Sequence, residues 1–252
     1  MKELAIHPGS KVDLDQWDTG NKLGLEKDGA KGLLEKHRKK LEELQYRLYA
    51  ERKQALLIVL QGMDTSGKDG VIRHIFSGVN PQGCHVVSFK KPSDEELSHD
   101  FLWRIHAHVP AKGMITIFNR SHYEDVLAAF VHNLVPAEKR ATRYRQINDF
   151  EKYLSENGVK ILKFFLHLGR KEQGLRLAER LKDASKRWKF NAADEKERKL
   201  WKDYAKAYEK ALAQCSAPRA PWYVIPSDHK WVRNAAVSHI LTRTLEEMNP
   251  RI

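Results

Sequence analysis

The chain has only two cysteines, Cys84 and Cys215, and they form no C-x-x-C pair. That argues against a disulfide framework or a cysteine-built metal site, and points to a reducing compartment. No N-terminal apolar h-region and no run of about 18 apolar residues is present, so nothing in the sequence exports or anchors the chain. A cytoplasmic protein without a membrane partner is the expectation. Internal repeats, low-complexity segments and Gly/Ser-rich linkers are also missing. Acidic residues are in short supply, 33 Asp and Glu against 45 Lys and Arg, so the net charge is 45 − 33 = +12 and the pI about 9.6. Such a balance calls for an anionic partner. Nucleic acid and inorganic polyphosphate use the same electrostatics, and charge alone does not separate them.

What is present centres on residues 55–70, ALLIVLQGMDTSGKDG. Ala55 to Gln61 reads as a buried parallel strand. Gly62 to Lys68 then fits G-x-x-x-x-G-K, the phosphate-binding loop that joins a strand to a helix. Its glycines let successive N–H groups turn inward, the following helix offers its positive end, and Lys68 adds a charge. After the lysine stands Asp69, where a nucleotide triphosphatase has the Ser or Thr that holds Mg²⁺. Another oxygen must then serve, and Asp64 is the candidate hard-cation ligand, its alternative being a turn residue bonded to its own backbone.

Along the rest of the chain, residues 1–31 read as a partly ordered lead-in rich in Gly, Asp and Lys, and 32–252 as one domain. Leu34, His37, Leu41, Leu44 and Leu48 make the stripe of an amphipathic helix over 32–53, to be covered by this domain or by a second subunit. Further strands are expected at 84–89, 114–118, 159–167 and 222–225. Helices are expected at 94–108, 138–157, 196–212 and 230–248. Regular alternation of this kind predicts a three-layer αβα sandwich with a parallel five-stranded sheet. Ligands of such sheets gather at the carboxyl ends of strands, which singles out Lys90 and Lys91 after the second and Asn119 to Asp125 after the third. Arg120 can clamp two phosphate oxygens at once. His99, His106 and His108 lack further ligands at metal-binding spacing and read as surface or packing residues. Trp201, Tyr204 and Tyr208 sit at helical spacing and read as packing.

GMDTSGKDG, followed in order by FLWRIHAHVP, FNRSHYEDV and LKDASKRWKF, resembles polyphosphate kinase family 2, and the likeness runs from about residue 32 to about 247. It implies a P-loop kinase-like sandwich with a helical lid at about 169–214, where Arg170, Lys171, Arg176, Arg180, Lys182, Lys186, Arg187 and Lys189 crowd together; by themselves these read as a solvated basic surface more readily than as a lid. The implied reaction is reversible phosphoryl transfer between polyphosphate and nucleotides with Mg²⁺, or Mn²⁺ in its place. Asp64, Lys68 and Arg120 would be catalytic. Gly62, Thr65, Ser66, Gly67, Lys68, Asp69, Lys90, Lys91, Arg180, Lys186, Arg187 and Lys189 would bind polyphosphate. Arg104, Asn119, Tyr123 and Glu124 would meet the acceptor nucleotide, and Asn119 and Glu124 would join Asp64 at the metal. The family often has Asp where Asn119 stands. Asn followed by an acidic pair resembles the branch that phosphorylates both AMP and ADP, with guanine nucleotides as further acceptors, and a homodimer or homotetramer is expected. The competing readings are a nucleic-acid-binding P-loop NTPase and an ATP-dependent nucleoside monophosphate kinase; the first lacks any recognised binding module, and both are disfavoured by Asp69.

Overall fold

Every residue of β1 (Ala55–Gln61) is buried, as an all-apolar run demands when helices cover both faces of its sheet. The computed structural model describes residues 2–183, 187–189 and 193–252. Together with β2 (Cys84–Ser88), β3 (Ile115–Asn119), β4 (Val159–His167) and β5 (Trp222–Pro226), β1 forms one parallel sheet in the order β2-β3-β1-β4-β5. At its centre Ile58 lies opposite Ile117 of β3 and Leu162 of β4. The helices are α1 (Lys27–Glu51), α2 (Lys68–Ile75), α3 (Asp94–Ser98), α4 (Trp103–His106), α5 (Ala128–Val131), α6 (Ala137–Glu156), α7 (Arg170–Lys182), α8 (Ala193–Lys199), α9 (Trp201–Gln214) and α10 (Lys230–Met248).

Period-two alternation splits β1 between two cores. Leu56, Ile58 and Leu60 join α1, α2 and α10 on one face, while Leu57 and Val59 join α6 and α9 on the other. This is the three-layer αβα sandwich read from the sequence. Among the described residues no helix is long and apolar enough to cross a membrane.

One open alternative is decided, and two details differ from the sequence reading. The α1 stripe needs no second subunit, because Leu41, Leu44 and Leu48 pack in one cluster with Val237, Ile240 and Leu241 of α10, and His37 Nδ1 lies 3.0 Å from Ser238 Oγ. The helix expected over 94–108 is broken into α3 and α4. Asp100 Oδ1 accepts from the Leu102 amide at 2.9 Å, a local turn that competes with helix, and the His99 ring stacks on Trp103. The lead-in is packed rather than loose. Leu4, Ile6, Val12 and Leu14 are buried, and Ala5 bridges Tyr223 at the β5 edge, which covers an otherwise open strand.

Candidate active site

Because all strands run parallel, the segments leaving β1, β3, β4 and β5 emerge on one edge of the sheet. Gly62 and Gly67 take φ of +153° and +100°, and a β-carbon on Gly62 would sit 2.7 Å from Ser66 Oγ and 2.8 Å from the Leu166 carbonyl. Only glycine fits there. The loop ends at Gly67, which caps α2, so the first amides of that helix open toward the site. Lys68 is buried; its Nζ donates to the Gly62 carbonyl at 2.7 Å and more weakly to that of Met63 at 3.4 Å.

Beyond the loop, Arg120 is held between two carboxylates. Its Nη2 donates to Asp64 Oδ1 at 2.8 Å, and Nη1 faces Glu124 Oε2 at 3.8 Å. Gln61, the last residue of β1, steadies Glu124 by donating to Oε1 at 3.1 Å. Asn119 Nδ2 donates to Asp69 Oδ1 at 2.9 Å, so the amide at the end of β3 and the acid after the loop lysine are partnered with each other. The outer side of the loop is gripped as well. Gln173 donates to the Asp64 carbonyl at 3.2 Å, Arg176 to that of Thr65 at 3.1 Å and Arg233 to that of Ser66 at 3.0 Å. Of these, Gly62, Asp64, Arg120, Glu124 and Gln173 border a cavity of about 630 Å³ that runs past Lys90 and Arg104 to an apolar end at Ala128, Leu134 and Val135.

A phosphate loop, an arginine between two acids and a cavity with one charged and one apolar end suit phosphoryl transfer to a molecule with an apolar portion. The family model for polyphosphate kinase 2 (PPK2) matches residues 24–252. The chain belongs to the polyphosphate kinase 2 family. It is 49% identical to the AMP/ADP-polyphosphate phosphotransferase of Meiothermus ruber, over 98% of this chain and 93% of that one. It is 44% identical to the ADP-polyphosphate phosphotransferase of Rhodopseudomonas palustris, over 98% and 90%. The crystal structure of polyphosphate kinase 2 from Arthrobacter aurescens TC1 superposes with a TM-score of 0.94 at 42% identity, covering 98% of this chain and 89% of that one.

Within this polyphosphate kinase 2 chain the residues singled out by sequence fall into three groups. Gly62, Asp64, Thr65, Ser66, Gly67, Lys68, Asp69, Asn119, Arg120 and Glu124 come together at the loop, with Lys90, Lys91 and Arg104 along the cavity. Arg104 is buried there, donating to the Lys90 carbonyl at 2.9 Å, with Glu96 and Asp125 at 3.5 and 3.9 Å. Tyr123 points away from the cavity: it is fully buried, and its hydroxyl donates to Glu151 Oε1 at 2.8 Å. On this short 3-10 turn the adjacent His122 and Tyr123 both enter the core against Glu151, while Glu124 faces the site. Arg180 lies in the last turn of α7 and Arg187 on a short turn, its Nε donating to the Leu181 carbonyl at 3.1 Å. Lys186 lies outside the described residues, as does the side chain of Lys189.

Several residues at the cavity or the loop carry no sequence signal for that place, Arg176 standing only among the basic residues of the expected lid. Arg143 pairs with Asp125 at 2.9 Å on the cavity wall. Tyr204 and Tyr208, read as packing, both line the cavity, and Tyr204 donates to Glu197 Oε2 at 2.6 Å beside His132. Gln173, Arg176 and Arg233 reach the loop from 109, 111 and 167 residues away.

Proposed function

We propose that the chain moves a phosphoryl group reversibly between inorganic polyphosphate and adenine nucleotides, taking both AMP and ADP as acceptors, with guanine nucleotides as further ones. The observation that carries this reading is the placement of Arg120 between Asp64 and Glu124 at the mouth of a loop whose lysine is sealed from water. In this reading the terminal phosphate of polyphosphate sits in the loop, and an acceptor phosphate oxygen attacks its phosphorus in line. The bond from that phosphorus to the oxygen bridging it to the penultimate phosphate breaks, and the shortened chain leaves with that oxygen and the electron pair. No general base is needed, because the attacking oxygen is already ionised. Lys68 and Arg120 offset the charge spread over the transferred group, and their fixed positions avoid reorganisation during the step. Thr65 Oγ1 and Ser66 Oγ are buried without a protein partner, as suits groups that bond a ligand.

Asp64 and Glu124 share one guanidinium, so they are close enough to share a cation, and Asn119 keeps its Oδ1 available while Nδ2 is engaged. Among the described residues no three acidic, His or Cys side chains gather at one point, which suits Mg²⁺ bound through one or two carboxylates plus phosphate oxygens and water. The ion would supply charge neutralisation between the phosphates. Activity is expected to vanish in excess EDTA and to return with Mg²⁺; full activity in EDTA would exclude a metal at these carboxylates.

The segment 169–214 is proposed as a lid, supported by Gln173, Glu197, Arg198, Tyr204 and Tyr208 on the cavity wall. Residues 32–252 are proposed as one functional unit in the cytoplasm, and two or four copies as the assembly. For the assembly the α1 stripe no longer offers support, since α10 covers it. Light scattering of the purified chain reads the copy number directly.

Incubation with Mg²⁺, long-chain polyphosphate and either AMP or ADP, followed by chromatography, tests the central reading. ADP and ATP from AMP, and ATP from ADP, are expected. Product from ADP alone would remove AMP from the acceptor range, and no product from either would overturn the reading.

Lys68 gives a pH test. Burial, and then the nearby Arg120, pull its ammonium down to about 8, outweighing Asp64, Glu124 and Asp69, which act in the other direction. A bound polyanion favours the protonated amine. Affinity is therefore complete below pH 8 and falls by up to about tenfold per pH unit above it. The thermal stabilisation given by polyphosphate, measured in EDTA from pH 6.5 to 9.5, is expected to decline through pH 8. A flat profile would show that Lys68 does not contact the anion.

A further inference from the structure

Arg233 belongs to no motif, yet it lies against the centre of the phosphate loop. It is 2% exposed, and its Nη1 donates to the Ser66 carbonyl at 3.0 Å. A β-carbon built on Gly67 would strike that same Nη1, and one on Gly70 would lie 3.0 Å from Nη2. The guanidinium therefore lies against both glycines of G-K-D-G, Nη1 nearest Gly67 and Nη2 nearest Gly70, and a side chain at Gly67 would displace it. Its remaining donors, Nε and Nη2, both go to Asn234 Oδ1 at 3.1 and 2.9 Å. No carboxylate faces it among the described residues.

The charged side chain that acts on it is another cation, Arg176. That residue differs, because Glu172 balances it at 2.8 Å while its Nη2 bonds the Ser227 and Asp228 carbonyls. Burial, and then Arg176, pull the Arg233 guanidinium down to about 9. Enclosing a cation without an opposing charge is costly, so its retention here needs a compensating role.

Peptide geometry supplies one. In a trans peptide the carbonyl and the following N–H point in opposite directions. Drawing the Ser66 carbonyl toward α10 turns the Gly67 N–H to the opposite side, where the loop meets its ligand. We propose that Arg233 is a positioning residue for phosphate: it fixes the Ser66–Gly67 peptide with its N–H toward the anion, and a phosphate held in the loop provides the counter-charge that neighbouring side chains do not. Selection for the donor follows. A polyphosphate end held by this loop is favoured, while the acceptor nucleotide, bound elsewhere in the cavity, is not affected. This rests on the reading that the loop takes polyphosphate.

The test compares Arg233→Met and Arg233→Lys with Arg243→Met, an arginine on the same helix that is exposed and paired only with Glu247. Two quantities are read: the KM for polyphosphate against the KM for ADP, and the rise in Tm that polyphosphate produces. Arg233→Met is expected to raise the polyphosphate KM about tenfold or more, the size of one charge-assisted hydrogen bond. The ADP KM is expected to stay within about twofold and the polyphosphate-induced rise in Tm to fall by more than half. Arg233→Lys keeps charge but loses the planar fork, so it should recover part of the KM and serves as the readout if the Met variant does not fold. Arg243→Met should match the wild type. A purely structural Arg233 would lower Tm without moving the ratio of the two KM values, and that result would overturn the inference, as would Arg233→Lys with an unchanged polyphosphate KM. If the wild type itself gains no stability from polyphosphate, the reading of the loop fails, and this inference with it.

Discussion

Arg120→Ala is expected to lower kcat about 10³-fold, a loss of about 4 kcal/mol of transition-state stabilisation. The reason is preorganisation. Arg120 begins the turn after β3 with φ +63°, and its amide donates to the Leu60 carbonyl at 3.1 Å, which ties its backbone to the strand that leads into the phosphate loop. Asp64 and Glu124 then hold the guanidinium from two sides. A fork fixed in this way meets developing charge on the phosphoryl oxygens without first reorganising. The assay should use saturating Mg²⁺, since removing the guanidinium leaves two carboxylates facing each other. Arg120→Lys should recover only a part, because an ammonium cannot bind two oxygens in one plane. A loss smaller than tenfold for Arg120→Ala would show that this arginine merely tethers the two acids.

The largest stability effect is expected from Glu151→Ala, about 3–5 kcal/mol. Lys163 stands in the middle of β4 at 0% exposure and donates to Glu151 Oε2 at 2.6 Å, to the Tyr123 hydroxyl at 2.9 Å and to the Cys215 carbonyl. Burial alone would push the Glu151 carboxyl up; Lys163 and His122 outweigh it and hold it below the usual carboxylate range. The stability it contributes is present above that range and is lost only as the pH falls through the lowered value. Removing the acid leaves an ammonium enclosed without an opposing charge. For a chain of this size the melting temperature should drop by about 10 °C. Glu151→Leu combined with Lys163→Met should recover most of the loss, because replacing both members of a buried pair by apolar groups is often neutral. A single-variant loss below about 1 kcal/mol would mean that water reaches Lys163. Glu151 also bonds His122 and Tyr123, on the turn that carries Glu124, so kcat should fall alongside stability.

Much of the fold was legible locally. An apolar run bounded by glycine can only be a covered strand or a buried helix, and the seven residues of β1 and nine of β4 are strand-length. Val159–His167 and Lys230–Met248 end where the sequence reading places them. The phosphate loop was legible for the same reason, since its glycines are required by backbone angles that the motif itself records. The break between α3 and α4 was missed because the Asp100 side chain competes with a helical pattern that otherwise continues. Residues 2–26 escaped because they lie along the surface of β5 with no single period.

By itself the sequence determined the αβα layering, the phosphate-loop motif and the family, because each is written in residues close together in the chain. Tertiary structure alone decided how that site is held. Gln173, Arg176 and Arg233 act on backbone carbonyls, and a carbonyl is present at every residue, so nothing in the sequence marks which one will be bonded. The direction of Tyr123 and the satisfaction of the α1 stripe were decided in the same way: one by a buried carboxylate 28 residues away, the other by a helix that begins 179 residues after Glu51. Contacts of that range depend on which surfaces the whole chain brings together, and no local pattern of residues encodes them.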